Sequence, residues 1–102
     1  MNVLNWTKEE INEKYKELCP YDYDSYYDKD LDGKIKEFAT ITSMYQEAKY
    51  AHLAYRTMSE HGGEFNLGKI LSLRLLRDHL FEISNRLKRD VELEINKIRA
   101  SN

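Results

Sequence analysis

A chain of 102 residues is long enough for one modest hydrophobic core, and we expect a single domain. Its composition is 41% hydrophobic and 33% charged with one proline and four glycines, which excludes a disordered chain and a many-stranded β fold. An all-α fold is therefore predicted. The net charge is −2, so neither positive nor negative residues dominate the composition.

The charge is nevertheless polarised along the sequence. Residues 1–33 hold nine acidic and four basic residues, whereas residues 66–102 hold eight basic and five acidic ones. This division does not favour a general nucleic-acid binder, which would need a dominant basic surface. The lone Cys19 excludes an internal disulfide, and we find neither a signal peptide nor the roughly 20-residue apolar run of a membrane span. A cytoplasmic protein is expected.

The first predicted helix spans residues 8–19. Thr7 and Glu10 have the spacing of a capping box, in which each side chain accepts a hydrogen bond from the backbone N–H of the other residue. Pro20 ends this helix because proline cannot continue the hydrogen-bond ladder.

Two longer helices are predicted over residues 34–61 and 66–99. Apolar residues recur at threes and fours in both, which is the spacing of one helix face. In the first of the two they are Ile35, Phe38, Ile41, Tyr45, Ala48, His52 and Tyr55. In the second they form a heptad-like, coiled-coil seam of Ile70, Leu73, Leu76, Leu80, Ile83, Leu87 and Val91. We expect His61-Gly62-Gly63 to end the first and Asn66 to cap the second.

The short glycine connection favours an antiparallel hairpin of these two helices, with the N-terminal helix completing a small bundle. Such a core is thin for a stable monomer, because helices gain most of their stability by burying an apolar face. Leu71, Leu75 and Phe81 lie off the main seam and widen the apolar arc of the last helix. We therefore predict a homodimer.

Residues 20–33, hereafter the acidic segment, show no helical period and are predicted to form a loop. Tyrosine is enriched at interfaces, and carboxylates pair with arginine or lysine, so this segment is a candidate surface for a basic protein partner. A run of carboxylates can also imitate nucleic-acid phosphates, as an inhibitor would. The alternative is that two tyrosines pack back on the hairpin. The candidate contact residues are Tyr21, Asp22, Tyr23, Asp24, Tyr26, Tyr27 and Asp28.

A second interpretation of the acidic segment is a calcium site. Asp28, Asp30 and Asp32 alternate before Gly33, as in the first half of an EF-hand loop, but the closing position twelve is Ala39. The spacing resembles a shortened EF-hand-like loop closed by Glu37 at position ten. That resemblance implies calcium as a ligand of these four carboxylates, and no other cofactor is expected. The alternative is that the aspartates precede a helix N-terminus, where the helix dipole favours negative charge, and that Asp32-Gly33 is only a turn with an N-cap.

The remaining patterns favour binding over catalysis. His52 lies on an apolar seam, where a hydrogen-bonded core histidine is expected, and no nucleophile has a recognisable partner. A basic ridge on the last helix (Arg74, Arg77, Arg86, Lys88 and Arg89) would suit nucleic acid, but Asp78, Glu82, Asp90 and Glu92 interrupt it. We expect a non-enzymatic interaction module. Small acidic proteins of this build include inhibitor and accessory proteins of phages and mobile elements, an analogy of size and charge only.

Overall fold

The computed structural model describes residues 2–60 and 67–101, and it confirms the predicted all-α fold. A 3-10 turn, Val3–Asn5, precedes helix α1, Lys8–Leu18, and a short helix α2, Tyr23–Tyr27, follows it. Two long helices, α3 (Leu31–Glu60) and α4 (Leu67–Ser101), pack against each other and make most of the tertiary contacts. None of the helices in these ranges is both long and apolar enough to cross a membrane.

Helix α1 begins as its sequence predicts. The backbone N–H of Glu10 donates to the Thr7 hydroxyl at 3.1 Å, and the N–H of Thr7 donates to the Glu10 carboxylate at 3.2 Å. The capping box thus satisfies two backbone donors that the first turn leaves without helical partners. The helix ends at Leu18, one residue before the predicted boundary, and Cys19 is its C-cap.

The core lies between α3 and α4. The predicted seam of α4 is buried from Leu73 to Val91, and Leu80 and Leu87 have no exposed surface. On α3 the stripe of Ile41, Met44, Ala48 and Ala51 is buried in the same core cluster. Apolar side chains at spacings of three and four therefore fix which faces of the two helices meet.

Helix α3 begins at Leu31, three residues before the predicted start. The N–H of Gly33 donates to the Asp30 carboxylate at 2.8 Å and the N–H of Lys34 to the Asp30 carbonyl at 2.9 Å, so Asp30 is the N-cap. The predicted apolar face is wrong at this end, since Ile35 is 40% exposed and Lys34 is buried. The predicted stop at His61-Gly62-Gly63 and the predicted cap Asn66 lie outside the described residues.

The N-terminal elements cover one flank of the hairpin and leave the end of α4 uncovered. The Tyr55 hydroxyl donates to the Leu4 carbonyl at 3.0 Å, and His79 contacts both the Leu18 carbonyl and the Tyr15 ring. The molecule is 58 Å long, and beyond Val91 the last helix has no fully buried residue. Ile98 is 52% exposed.

Candidate functional site

The acidic segment is not an irregular loop, and that prediction is wrong. Residues 23–27 form α2, and the Asp22 carboxylate caps it by accepting a hydrogen bond from the N–H of Ser25 at 3.1 Å. A helix of five residues is far too short to be stable on its own. Its order must come from contacts with the long helices.

Tyr26 provides the deepest of these contacts. Its side chain is 1% exposed, and its hydroxyl donates to Asp90 Oδ2 at 2.9 Å. The interpretation of Tyr26 as a partner-contact residue is therefore wrong, because its ring is part of the core. The physical reason is that one hydrogen bond to a carboxylate satisfies the only polar atom of the side chain, so the ring can be buried.

Buried Lys34 completes a charged cluster around Tyr26. Its Nζ lies 3.1 Å from Glu94 Oε2 and 3.5 Å from Asp90 Oδ2, and 5.5 Å from the centre of the Tyr26 ring. Burial lowers the pKa of Lys34, but the hydrogen bond to Glu94 and the attraction of both carboxylates outweigh it, so the pKa is raised. Burial and the bond to Asp90 raise the pKa of Tyr26. The ammonium ion and the neutral phenol are thus the stable forms at neutral pH.

Two further tyrosines fix the ends of the segment. The Tyr21 hydroxyl donates to Glu37 Oε1 at 2.6 Å, and burial together with this bond raises the pKa of Tyr21. The guanidinium of Arg86 stacks on the Tyr23 ring at 3.8 Å, and the rings of Tyr21 and Tyr23 meet edge to face at 4.9 Å. The alternative raised in the sequence analysis was that tyrosines pack back on the hairpin. Tyr21, Tyr23 and Tyr26 do so.

A smaller acidic surface remains open to solvent. It consists of Asp24, Asp28 and Tyr27, all exposed, and Tyr27 retains 42% of its accessible area. Within residues 2–60 and 67–101 neither Asp24 nor Asp28 forms an ion pair. A shallow depression of about 420 Å³ lies beside this surface, lined by Pro20, Tyr21, Asp22, Tyr23 and Asp24. Such an arrangement can bind cations or basic side chains.

The four carboxylates of the calcium interpretation have separate uses. Asp30 caps α3, Asp32 pairs with Lys36 at 3.0 Å, and Glu37 accepts the hydrogen bond from Tyr21. Asp28 follows α2 as its C-cap. Across the described part of the chain, no group of three or more acidic, histidine or cysteine side chains is arranged to hold a metal ion.

His52 is the hydrogen-bonded histidine that its position on the seam predicts. It is 8% exposed, and its Nδ1 lies 3.1 Å from Nη1 of Arg77. Because arginine can only donate, Nδ1 accepts, and the imidazole is neutral. Burial, followed by the charges of Arg77, Arg56 and Arg74, lowers the pKa of His52.

Sequence reasoning missed Lys34, Arg86, Asp90 and Glu94 as the residues that hold the acidic segment. The charged residues of α4 were interpreted as a solvent-facing mixture of both signs, and Lys34 only as the first residue of the predicted helix 34–61. Their roles depend on contacts across about sixty positions, such as the 64 between Tyr26 and Asp90. The only local signal was Asp22 three residues before Ser25, which is typical of a helix N-cap.

In comparisons with protein-family models, curated proteins and solved structures, no match to this chain was found. The functional conclusions therefore depend on the residues and their geometry alone.

Replacing Tyr26 with Phe tests the anchor under the acidic segment. The ring remains, but the hydrogen bond to the Asp90 carboxylate is lost, and such bonds contribute about 1.5–3 kcal/mol. We expect the free energy of unfolding in urea to fall by about that amount. Tyr50→Phe is the matched control, because Tyr50 is 64% exposed and its change should stay within about 0.5 kcal/mol. Equal stabilities of the two variants would contradict the anchoring role.

Proposed function

We propose that this protein is a non-enzymatic interaction module that binds a basic surface of a partner protein through its acidic segment. The observation that carries the proposal is the contrast between one buried side chain and two exposed carboxylates in α2 and its C-cap. The backbone is anchored through Tyr26, whereas the neighbouring Asp24 and Asp28 are exposed and form no ion pair in the described ranges. Both carboxylates are therefore open to a basic side chain of a partner.

The spacing of the two carboxylates suits arginine or lysine. Asp24 and Asp28 are four residues apart across α2 and its helical cap, so they lie on one face, with Cβ atoms about 5–6 Å apart as on any helix. Tyr27 adds an aromatic contact on the same short element. Charge-assisted bonds to guanidinium groups together with a tyrosine contact are typical of residues that dominate interface energies.

Rigidity supports the same proposal. A surface held in its binding conformation before the partner arrives avoids the entropy cost of ordering a loop on binding. Three tyrosine contacts to α3 and α4 fix a segment that could not fold alone. A partner whose own ligand is nucleic acid would meet carboxylates in place of phosphates, so inhibition of such a protein is a specific form of the proposal.

The proposal also includes a location in the cell. We place the protein in the cytoplasm, where an exposed, unpaired thiol such as that of Cys19 stays reduced. The module acts by occupying a partner's surface and carries out no chemistry of its own.

A homodimer is the second part of the proposal. Leu71, Leu75 and Phe81, which lie off the seam, are 48%, 55% and 48% exposed, and α1 does not reach the C-terminal end of α4. Leu67 extends the outer row one turn before Leu71 and is 50% exposed. Isolated apolar residues on a surface are ordinary. Leu67, Leu71 and Leu75, however, are spaced by four residues and form a row that a second helix can contact.

Sedimentation equilibrium tests the dimer. At micromolar concentration we expect twice the chain mass of 12.2 kDa, and Leu75→Gln should shift the equilibrium towards the monomer. Leu53→Gln is the matched control, because Leu53 is 57% exposed on α3, away from the row on α4. A wild-type chain that sediments as a monomer at all concentrations would exclude the dimer.

Charge reversal tests the proposed binding surface. In pull-downs from the native host, we expect Asp24→Lys combined with Asp28→Lys to lower partner recovery by at least about tenfold, since a lost interfacial charge pair costs about 2–5 kcal/mol. Asp22 is left unchanged because it caps α2.

The matched control is Glu9→Lys combined with Glu13→Lys on α1, which makes the same change in net charge at two exposed positions. Both double variants should melt within a few degrees of the wild type. Recovery of the same partner by the Asp24 and Asp28 variant at wild-type levels would refute the proposed surface.

A further inference from the structure

The flank of the hairpin opposite α1 and α2 carries a groove of the opposite charge. On α4, residues His79, Arg86 and Asp90 contact the N-terminal elements, and all three lie on one side of the buried stripe of α4. Arg74 and Arg77 lie on the other side, as the helical period of 3.6 residues requires. Here α3 and α4 enclose a groove of about 510 Å³ lined by His52, Arg56, Ile70, Leu71, Arg74 and Arg77.

Positive charge converges on this groove from both helices. Arg74 and Arg77 are one turn apart on α4, and His52 and Arg56 are one turn apart on α3. The hydrogen bond between Arg77 Nη1 and His52 Nδ1, at 3.1 Å, joins the two helices across the groove. No carboxylate occurs among the described residues that line it.

The guanidinium groups retain donors for a ligand. Arg77 donates from Nε and Nη2 to Asp78 at 3.0 and 2.8 Å, which still leaves one N–H on each terminal nitrogen. Arg74 has neither a hydrogen-bond nor an ion-pair partner in the part of the chain that the structure describes. With Nδ1 of His52 accepting from Arg77, the N–H of the neutral imidazole is at Nε2.

The side chains of Arg56, Arg74 and Arg77 crowd around His52 in this groove. The lowered pKa of His52 reports this crowding, since burial and then the charges of Arg77, Arg56 and Arg74 disfavour the imidazolium form. Groups whose titration is shifted by like charges in a cleft are typical of ligand sites. The carboxylate of Asp78 opposes the shift.

We propose that this groove binds the phosphate group of a small phosphorylated molecule. Arginine donors match phosphate oxygens in pairs, and Ile70 provides an apolar contact for the rest of the ligand. The volume lies within the range of about 300–1,000 Å³ that small-molecule pockets occupy.

A nucleic-acid strand fits the same flank less well. Beyond Arg77 the surface continues through shallower depressions that contain Asp78 and then Glu92, so carboxylates interrupt the positive track. A strand would have to pass both acids, whereas a single phosphate group is small enough to meet the arginines of the groove without reaching either acid.

The test is calorimetric titration of the full chain with pyrophosphate at constant ionic strength, with sodium chloride as the reference salt. We expect saturable binding that Arg74→Gln weakens at least about tenfold, since about 1.4 kcal/mol corresponds to a factor of ten. Arg74 is exposed, so this variant should keep the wild-type melting temperature without ligand. Arg99→Gln, a change at another exposed position of the same helix, should bind as the wild type does.

A second readout follows the His52 imidazole by proton NMR. Bound pyrophosphate should raise the pKa of His52, because an adjacent anion favours the imidazolium form against Arg56, Arg74 and Arg77. A role limited to packing α3 against α4 would leave this titration unchanged.

Three results would overturn the proposal. They are no pyrophosphate binding by the wild type at millimolar concentration, equal affinities of the wild type and Arg74→Gln, and binding of a 12-nucleotide single strand at low salt that pyrophosphate does not displace. The last would assign the groove to nucleic acid. The Asp24 and Asp28 double variant should bind pyrophosphate normally, so this test is independent of the acidic surface.

Discussion

The packing of α3 on α4 is the interaction on which the rest of the molecule depends. The buried leucines of α4 belong to one core cluster with Ala48 and Ala51 of α3, and this cluster joins the two helices. Neither α1 nor α2 has enough apolar surface to fold without that platform. Everything that we interpret functionally is placed by its position on one flank or the other of this pair.

The two flanks differ in charge and in whether the N-terminal elements cover them. On one, the N-terminal elements are anchored by aromatic contacts and present Asp24 and Asp28 to solvent. On the other, Arg74 and Arg77 line a groove that the described chain leaves open. A net charge of −2 conceals this separation, because the opposite charges cancel in the sum but not in space.

Local patterns in the sequence predicted the helices well, whereas contacts between distant positions could not be predicted from it. The capping box of Thr7 and Glu10 and the seam from Leu73 to Val91 depend on residues within a few positions of one another, and both were correct. Helix α2 was missed because its stability comes from Asp90 and Arg86, some sixty positions away. The aspartate spacing likewise suggested a metal loop, whereas Asp30 caps a helix.

The central claim is that the acidic segment is a rigid surface before any partner binds. Backbone ¹⁵N relaxation measures this most directly on the free protein, residue by residue. We predict order parameters for the amides of residues 23–28 near 0.85, equal to those of the interior of α3, because Tyr26 and Lys34 fix the segment to α4. Order parameters below about 0.6 across α2 would contradict the account.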